Sequence, residues 1–235
     1  MTRLIAFILF ALLFLQPAAA RADYAEGLQA YTRHEWQKAI ALLRPLAEAG
    51  DDRAQILIGN MYNEGWGVLI SHSEAYRLYR RAAGKDNAEA ATLLGAMTLH
   101  GQGIPASRSA ALAWFLRAAQ LGDQNGSFFA GTMLAMGNES SRDHAPPNAL
   151  EAYKWFRICA AQKGTPQMAA VCTRMADGLA RKSLPREKAA GADAEARAFK
   201  PADPAKLGPL PDVKESPKAA PPAAQGKPSP AAPKK

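Results

Sequence analysis

Ala54-Gln55-Ile56-Leu57-Ile58-Gly59-Asn60-Met61 returns 36 residues later as Ala90-Ala91-Thr92-Leu93-Leu94-Gly95-Ala96-Met97, and a worn third copy follows at the same interval around Phe128-Phe129-Ala130-Gly131-Thr132-Met133. A second phrase travels with the first: Glu74-Ala75-Tyr76-Arg77-Leu78-Tyr79-Arg80, then Ala110-Ala111-Leu112-Ala113-Trp114-Phe115-Leu116, then Glu151-Ala152-Tyr153-Lys154-Trp155-Phe156-Arg157. A period of this length marks stacked supersecondary units, each burying its apolar face only against a neighbour. Such arrays usually present a surface for holding another molecule and seldom a cleft for chemistry.

Each repeat reads as two antiparallel helices. Ala54, Leu57, Ile58 and Met61 recur at i, i+3, i+4 and i+7, as do Ala90, Leu93, Leu94 and Met97, so one helical face points at a core. Gly59, Gly95 and Gly131 stand inside these first helices, where glycine costs roughly 1 kcal/mol against alanine. Close approach of the partner helix at the small residues Ala75, Ala111 and Ala152 is the expected compensation. Helix starts are read at Ser71 with Glu74, Asp86 with Glu89, and Asn148 with Glu151, each a capping oxygen three residues before a glutamate. Glycine turns, Gly65-Trp66-Gly67-Val68 and Gly101-Gln102-Gly103-Ile104, link the paired helices.

An earlier helix pair is expected over Tyr24 to Gly50, with Gly27, Ala30 and Tyr31 on its first helix and Trp36, Ala39, Ile40 and Leu43 on its second; Pro45 should kink the second. The third repeat has a longer inter-helix loop, Gly137 to Pro147. A closing helix is expected from Thr165-Pro166, with threonine as cap and proline at the first helical position, to about Lys182.

These residues resemble a known family. The Gly59 and Gly95 helices, the Gly65-x-Gly67-Val68 turn and the Trp114-Phe115-x-x-Ala118-Ala119 segment are similar to Sel1-like repeats, an α-solenoid relative of tetratricopeptide repeats, and Tyr24–Gly50 looks more like a tetratricopeptide unit. The resemblance covers about residues 23–182. It implies an all-α, right-handed solenoid of stacked helical hairpins, and an adaptor or scaffold that in bacteria often lies in the cell envelope. Fold analogy names no partner.

Residues 1–22 read as a secretory signal: Arg3, the apolar run Leu4 to Leu15, and small residues at Ala20-Arg21-Ala22, with cleavage expected after Ala22 and Ala20 as the alternative site. Twelve apolar residues fall short of the roughly 20 that a spanning helix needs. Removing the signal lowers the net charge from +8 to +6. Residues 23–180 carry 15 basic and 15 acidic side chains, whereas 181–235 carry 12 and 6, so the whole excess is C-terminal. An exported chain with a neutral body rarely meets nucleic acid, and only the tail seeks anions. Lys200–Lys235 holds ten prolines and seven lysines with almost no large apolar residue, a composition that cannot offset its ordering entropy. The organisation expected is thus signal 1–22, tetratricopeptide-like hairpin 23–50, repeats with closing helix 51–182, and a largely disordered Ala/Pro/Lys-rich tail 183–235, within which 183–199 reads as helix or loop around Gly191.

Chemistry finds little support. Some disulfide-rich secreted relatives of this family are linked to penicillin binding and hydrolysis, but no serine here has lysine three residues on, Lys-Thr-Gly is absent, and so is the family's recurrent cysteine pair in each repeat. His34, His72, His100 and His144 are not spaced for a metal, the glycine turns are not strand-to-helix phosphate cradles, and no cofactor is expected. Cys159 and Cys172 flank the Gly164-Thr165-Pro166 turn and would lie level on antiparallel helices, either bridged or packed as small buried thiols.

The function expected is non-catalytic: a periplasmic or secreted scaffold or regulator that holds a protein or peptide. A cell-wall accessory protein binding peptidoglycan or another anionic polymer is the alternative, and a β-lactamase-like hydrolase the third. The expected contact strip runs along the concave side of the first helices through Ile56, Asn60 and Asn63, then Thr92, Ala96 and Leu99, then Phe128, Thr132 and Ala135. Tyr79, Trp114, Phe115, Trp155 and Phe156 are expected in the interhelical core. Trp66, between two glycines, either folds back on the next repeat or stands out as an interface anchor. The tail lysines would add weak, salt-screened contact with anionic wall polymer or lipid.

Overall fold

The computed structural model describes residues 24–137 and 148–211. The expected signal (1–22), the long third-repeat loop with His144, and the tail lysines from Lys214 onward lie outside the described residues. Among the described residues the regular structure is all helical, as the repeat pattern predicts. The chain divides after Ala82 into two compact units.

In the first unit, α1 (24–32) and α2 (Trp36–Ala49) form a hairpin, followed by α3 (Asp52–Glu64) and α4 (His72–Ala83). Helix α2 carries Pro45 in its interior and ends at Gly50. The core gathers Ala30, Ala39, Leu43, Leu46, Ala47, Ala54, Ile58, Met61 and Leu78, so all four helices contribute to it. Gln55 is buried among them and donates from Nε2 to the Ala47 carbonyl at 2.9 Å, tying α3 to the end of α2.

The second unit holds α5 (Ala88–His100), α6 (Arg108–Gln120), α7 (Gln124–Met136), α8 (Ala149–Ala161), α9 (Pro166–Ser183) and α10 (Arg186–Ala198). From α5 to α9 each helix packs on the next, and α10 packs on α8. Trp114, Phe115 and Phe156 are fully buried.

The glycine-containing first helices differ from expectation in what they meet. An aromatic ring four residues beyond each partner-helix alanine lies against the glycine. A Cβ on Gly59 would stand 2.5 Å from the Tyr79 ring, one on Gly95 2.6 Å from Phe115, and one on Gly131 3.0 Å from Phe156. The glycines make room for flat side chains, and the alanines are buried beside them.

The caps correct one sequence reading. Asp51, Asn87 and Asp123 start α3, α5 and α7, each accepting from a backbone amide of the first turn, and they repeat at the same 36-residue interval. Asp86 caps nothing. It holds a positive φ of 59° and pairs with Arg117 Nη2 at 2.6 Å. Ser71 and Asn148 do accept from the Glu74 and Glu151 amides, and Thr165 caps α9 with Pro166 at its first position.

Order continues past residue 183, where the sequence reading began the largely disordered segment. Helix α10 lies on α8 through the buried Ala192 and Ala196. Asp193 Oδ1 accepts from Tyr153 Oη at 2.9 Å and from Arg157 Nε at 2.8 Å. Burial first, then this bond to Asp193, raises the Tyr153 phenol above the usual tyrosine range and keeps it a donor. Beyond α10, Phe199 sits edge-on to Trp155, the Ala202 amide reaches the Gln120 carbonyl at 2.7 Å, and Arg117 Nη1 reaches the Gly208 carbonyl at 2.7 Å.

Gly178 in α9 and Gly191 in α10 have nothing within 4 Å of the position a Cβ would take. Neither has a positive φ. Alanine at either site should therefore stabilise the second unit by about 0.5–1 kcal/mol through helix propensity and a smaller unfolded ensemble, read as a raised denaturation midpoint. A lowered midpoint would show that the glycines serve a contact outside this unit's packing.

Candidate functional site

The residues of the first unit that combine exposure with aromatic surface converge where the α3–α4 turn meets the first hairpin. Gly65 ends α3 at φ 75°, Trp66 follows, and Gly67 holds φ 70°. A side chain on Gly67 would be strained by that φ and would also run into the Trp36 Cβ, 2.5 Å from its own Cβ position. Gln37 Nε2 donates to the Gly67 carbonyl at 2.9 Å. The turn is thereby seated on the first turn of α2.

This seating brings three aromatic residues from separate places in the sequence together. The Trp36 and Trp66 rings stack, with centroids 5.0 Å apart and planes 14° from parallel. Tyr31 meets both edge-on, at 5.6 Å from Trp36 and 5.8 Å from Trp66. His34, at a positive φ of 63°, lies 4.9 Å from Trp36. All three large rings are only partly buried against the core, and the turn continues into the exposed Leu69 and Ile70. Trp66 thus folds onto the preceding hairpin. Its ring contacts are with the preceding hairpin and not with the next repeat, and they leave the indole partly exposed.

The other expected contact residues are largely committed to their own repeats. Ile56 is 4% exposed. Asn60 Oδ1 accepts from Tyr79 Oη at 2.6 Å, and its Nδ2 points to Tyr31 Oη at 3.5 Å. Asn63 donates to Glu64 Oε1 at 2.7 Å and lies 3.1 Å from His72 Nδ1. Thr92 is 9% exposed and donates to Asp123 Oδ2 at 2.7 Å. Ala96 and Leu99 pack on the cluster of Ala111, Phe115, Ala130 and Met133. Thr132 back-bonds to the Phe128 carbonyl at 2.8 Å. The helical period shows which residues share a face, but these polar ends find partners in other helices or in their own backbone.

Cys159 and Cys172, both fully buried, are joined in a disulfide with Cα atoms 6.0 Å apart. A hollow of about 280 Å³ is lined by Arg157, Thr173, Asp193 and Arg197, but Asp193 already holds Arg157 and anchors α10. Among the described residues no group of three or more His, Cys, Asp or Glu could hold a metal ion, and no helix is long and apolar enough to cross a membrane.

The Sel1 repeat family matches residues 52–87, 88–123 and 130–164. The chain carries three Sel1 repeats. The matched segments begin at α3, α5 and within α7, so the glycine–aromatic contact occurs once in each repeat. The repeats' fold is shared with the crystal structure of a protective antigen present in uropathogenic Escherichia coli strains that displays an SLR fold, at 22% identity and a TM-score of 0.64 over 85% of this chain and 43% of that one. It is also shared with a Sel1 repeat protein from Oxalobacter formigenes, at 24% identity and a TM-score of 0.60 over 76% of this chain and 51% of that one. The chain thus spans about half the length of these relatives or less, and at such identities the likeness shows the fold alone. No curated protein sequence matches the chain.

Tyr31 and Trp36 were legible in the sequence only as members of the first hairpin. The signal that singles out the site is the break in the repeat. Trp66 stands where the next repeat has Gln102, although Gly65, Gly67 and the flanking apolar residue recur as Gly101, Gly103 and Ile104.

Proposed function

We propose that this Sel1-repeat chain is a non-catalytic binding protein of the bacterial cell envelope that holds an extended polypeptide on the Tyr31–Trp36–Trp66 face. The carrying observation is that the first repeat departs from the next by placing a tryptophan at the tip of a rigid glycine turn, where it builds a partly exposed aromatic surface. Tryptophan and tyrosine supply large contact area with few rotatable bonds, which is why they dominate binding hot spots. Export is supported by the expected signal at 1–22, and the Cys159–Cys172 disulfide suits an oxidising compartment.

The test is capture from an envelope extract by the full chain and by Trp66→Gln, the residue the next repeat carries at this place. The glycine turn accepts glutamine there, so the variant should keep its helical spectrum and cooperative unfolding. Its affinity for the captured polypeptide should fall about tenfold or more. Undiminished capture by the folded variant would move the binding face elsewhere on the repeats.

A further inference from the structure

We infer that the hollow lined by α8, α9 and α10 is a binding site for a small carboxylate, held by the guanidinium groups of Arg157 and Arg197. The site lies within the second unit and does not depend on the Tyr31–Trp36–Trp66 face.

The hollow stands where the repeat pattern would otherwise close. Counted from the capping residue, each of the first two repeats sets a glycine at the eighth position and an aromatic residue at the twenty-eighth: Asp51 leads to Gly59 and Tyr79, and Asn87 to Gly95 and Phe115. Each ring lies against its glycine and fills the space between the helices. Thr165 caps α9, and the same two intervals from it reach Thr173 and Asp193. The small positions keep the register as well, since Ala75 and Ala82, then Ala111 and Ala118, return as Ala189 and Ala196. Helices α9 and α10 thus carry a fourth copy of the register, beyond the three matched repeats. In it a threonine replaces the glycine and a carboxylate replaces the ring. Thr173 and Asp193 line an open hollow of about 280 Å³ where the other repeats are packed shut.

Charge and shape name the ligand. The lining holds two guanidinium groups and one carboxylate. Asp193 takes one donor from each arginine: Arg157 Nε reaches its Oδ1 at 2.8 Å, and Arg197 Nε its backbone carbonyl at 3.2 Å. Both forks are therefore fixed at Nε by one residue, which Tyr153 Oη also holds. Among the described residues no Nη atom of either arginine has an acceptor. The neighbouring Glu195 is taken up by Lys154. The lining side chains sum to one positive charge, which matches a monoanion, and the Asp193 carboxylate disfavours a dianion such as phosphate. A planar carboxylate accepts parallel N–H bonds from an arginine fork. Ala160, Ala161 and Ala196 supply methyl groups for the acid's carbon chain. A hollow of about 280 Å³ falls just below the ~300–1,000 Å³ of most small-molecule sites, so a short-chain acid fits.

The experiment follows the arginine Nε–H signals of the full chain while sodium butyrate is added at constant ionic strength. Saturable shifts are expected at Arg157 and Arg197, with Arg108 and Arg117, which are bonded elsewhere, unmoved. Arg197→Gln should weaken butyrate binding about tenfold or more. Its unfolding midpoint without butyrate should stay near that of the wild type, because an exposed side chain loses one 3.2 Å bond. Shifts that do not saturate, or a wild-type response in the folded Arg197→Gln variant, would overturn the site. Chloride and inorganic phosphate are titrated in parallel. Equal shifts with chloride would reduce the site to an adventitious ion only, and saturation by phosphate at lower concentration than butyrate would overturn the carboxylate assignment.

Discussion

Replacing Gly126 with alanine should lower the stability of the second unit by about 3 kcal/mol. Gly126 lies in the first turn of α7, and a Cβ there would stand 2.5 Å from the Ala118 Cβ, 2.9 Å from the Ala119 nitrogen and 3.0 Å from the Ala118 carbonyl carbon. The obstacle is therefore the backbone of α6, which cannot rotate away. To admit a methyl, α7 must move off α6, loosening the buried contacts among Phe115, Ala130 and Met133. Gly95 is a graded comparison. Its obstacle is the Phe115 ring, 2.6 Å from the Cβ position and buried on all sides, so Gly95→Ala should lose about 1–2 kcal/mol after helix propensity returns up to about 1. Denaturant unfolding followed by the buried Trp114 and Trp155 measures both. Wild-type midpoints for both variants would mean that α6 is not packed against α5 and α7 at these distances.

Reduction of the Cys159–Cys172 bridge should lower stability by about 2–4 kcal/mol, because it releases a loop of about 14 residues in the unfolded chain. The bridge joins α8 to α9 across their connecting turn, where Gln124 also clamps the chain by donating to the Cys159 carbonyl at 3.1 Å and accepting from the Thr165 amide at 2.9 Å. Both sulfur atoms are buried in the cluster with Tyr153, Phe156 and Ala176, so the freed thiols would still pack and most of the loss comes from the unfolded state. Protein purified without reductant and then denatured should present no reactive thiol. Two reactive thiols, or an unfolding curve indifferent to reductant, would contradict the bridge.

The fold was legible because the 36-residue register repeats the apolar faces, the interior glycines and the turns together. What escaped had local causes. The Asn87 cap was missed for its neighbour Asp86, although the positions 51, 87 and 123 keep the period. Alanine was expected opposite the interior glycines because it is small, whereas the structure sets an aromatic ring flat against the space each glycine leaves. Helix α10 was ambiguous because its buried side is made of Ala192 and Ala196 and its attachment depends on Asp193 meeting residues some 36–40 positions away. The expected contact strip shared a helical face, but Asn60 and Thr92 bond to Tyr79 and Asp123, 19 and 31 residues on. Trp66 alone was legible as unusual from its place between two glycines, and the aromatic partners that make it a surface come from the first hairpin.

The binding face is tested most directly by a photo-crosslinking residue placed, in separate proteins, at Ile70 and at Met136. These are two apolar side chains of nearly equal exposure, 62% and 64%, one on the aromatic turn and one at the end of α7 in the other unit. Irradiation in intact cells, followed by mapping of the adducts, should give a polypeptide adduct at Ile70 and none at Met136. Adducts at both positions in equal yield, or at Met136 alone, would contradict the assignment of binding to the Tyr31–Trp36–Trp66 face.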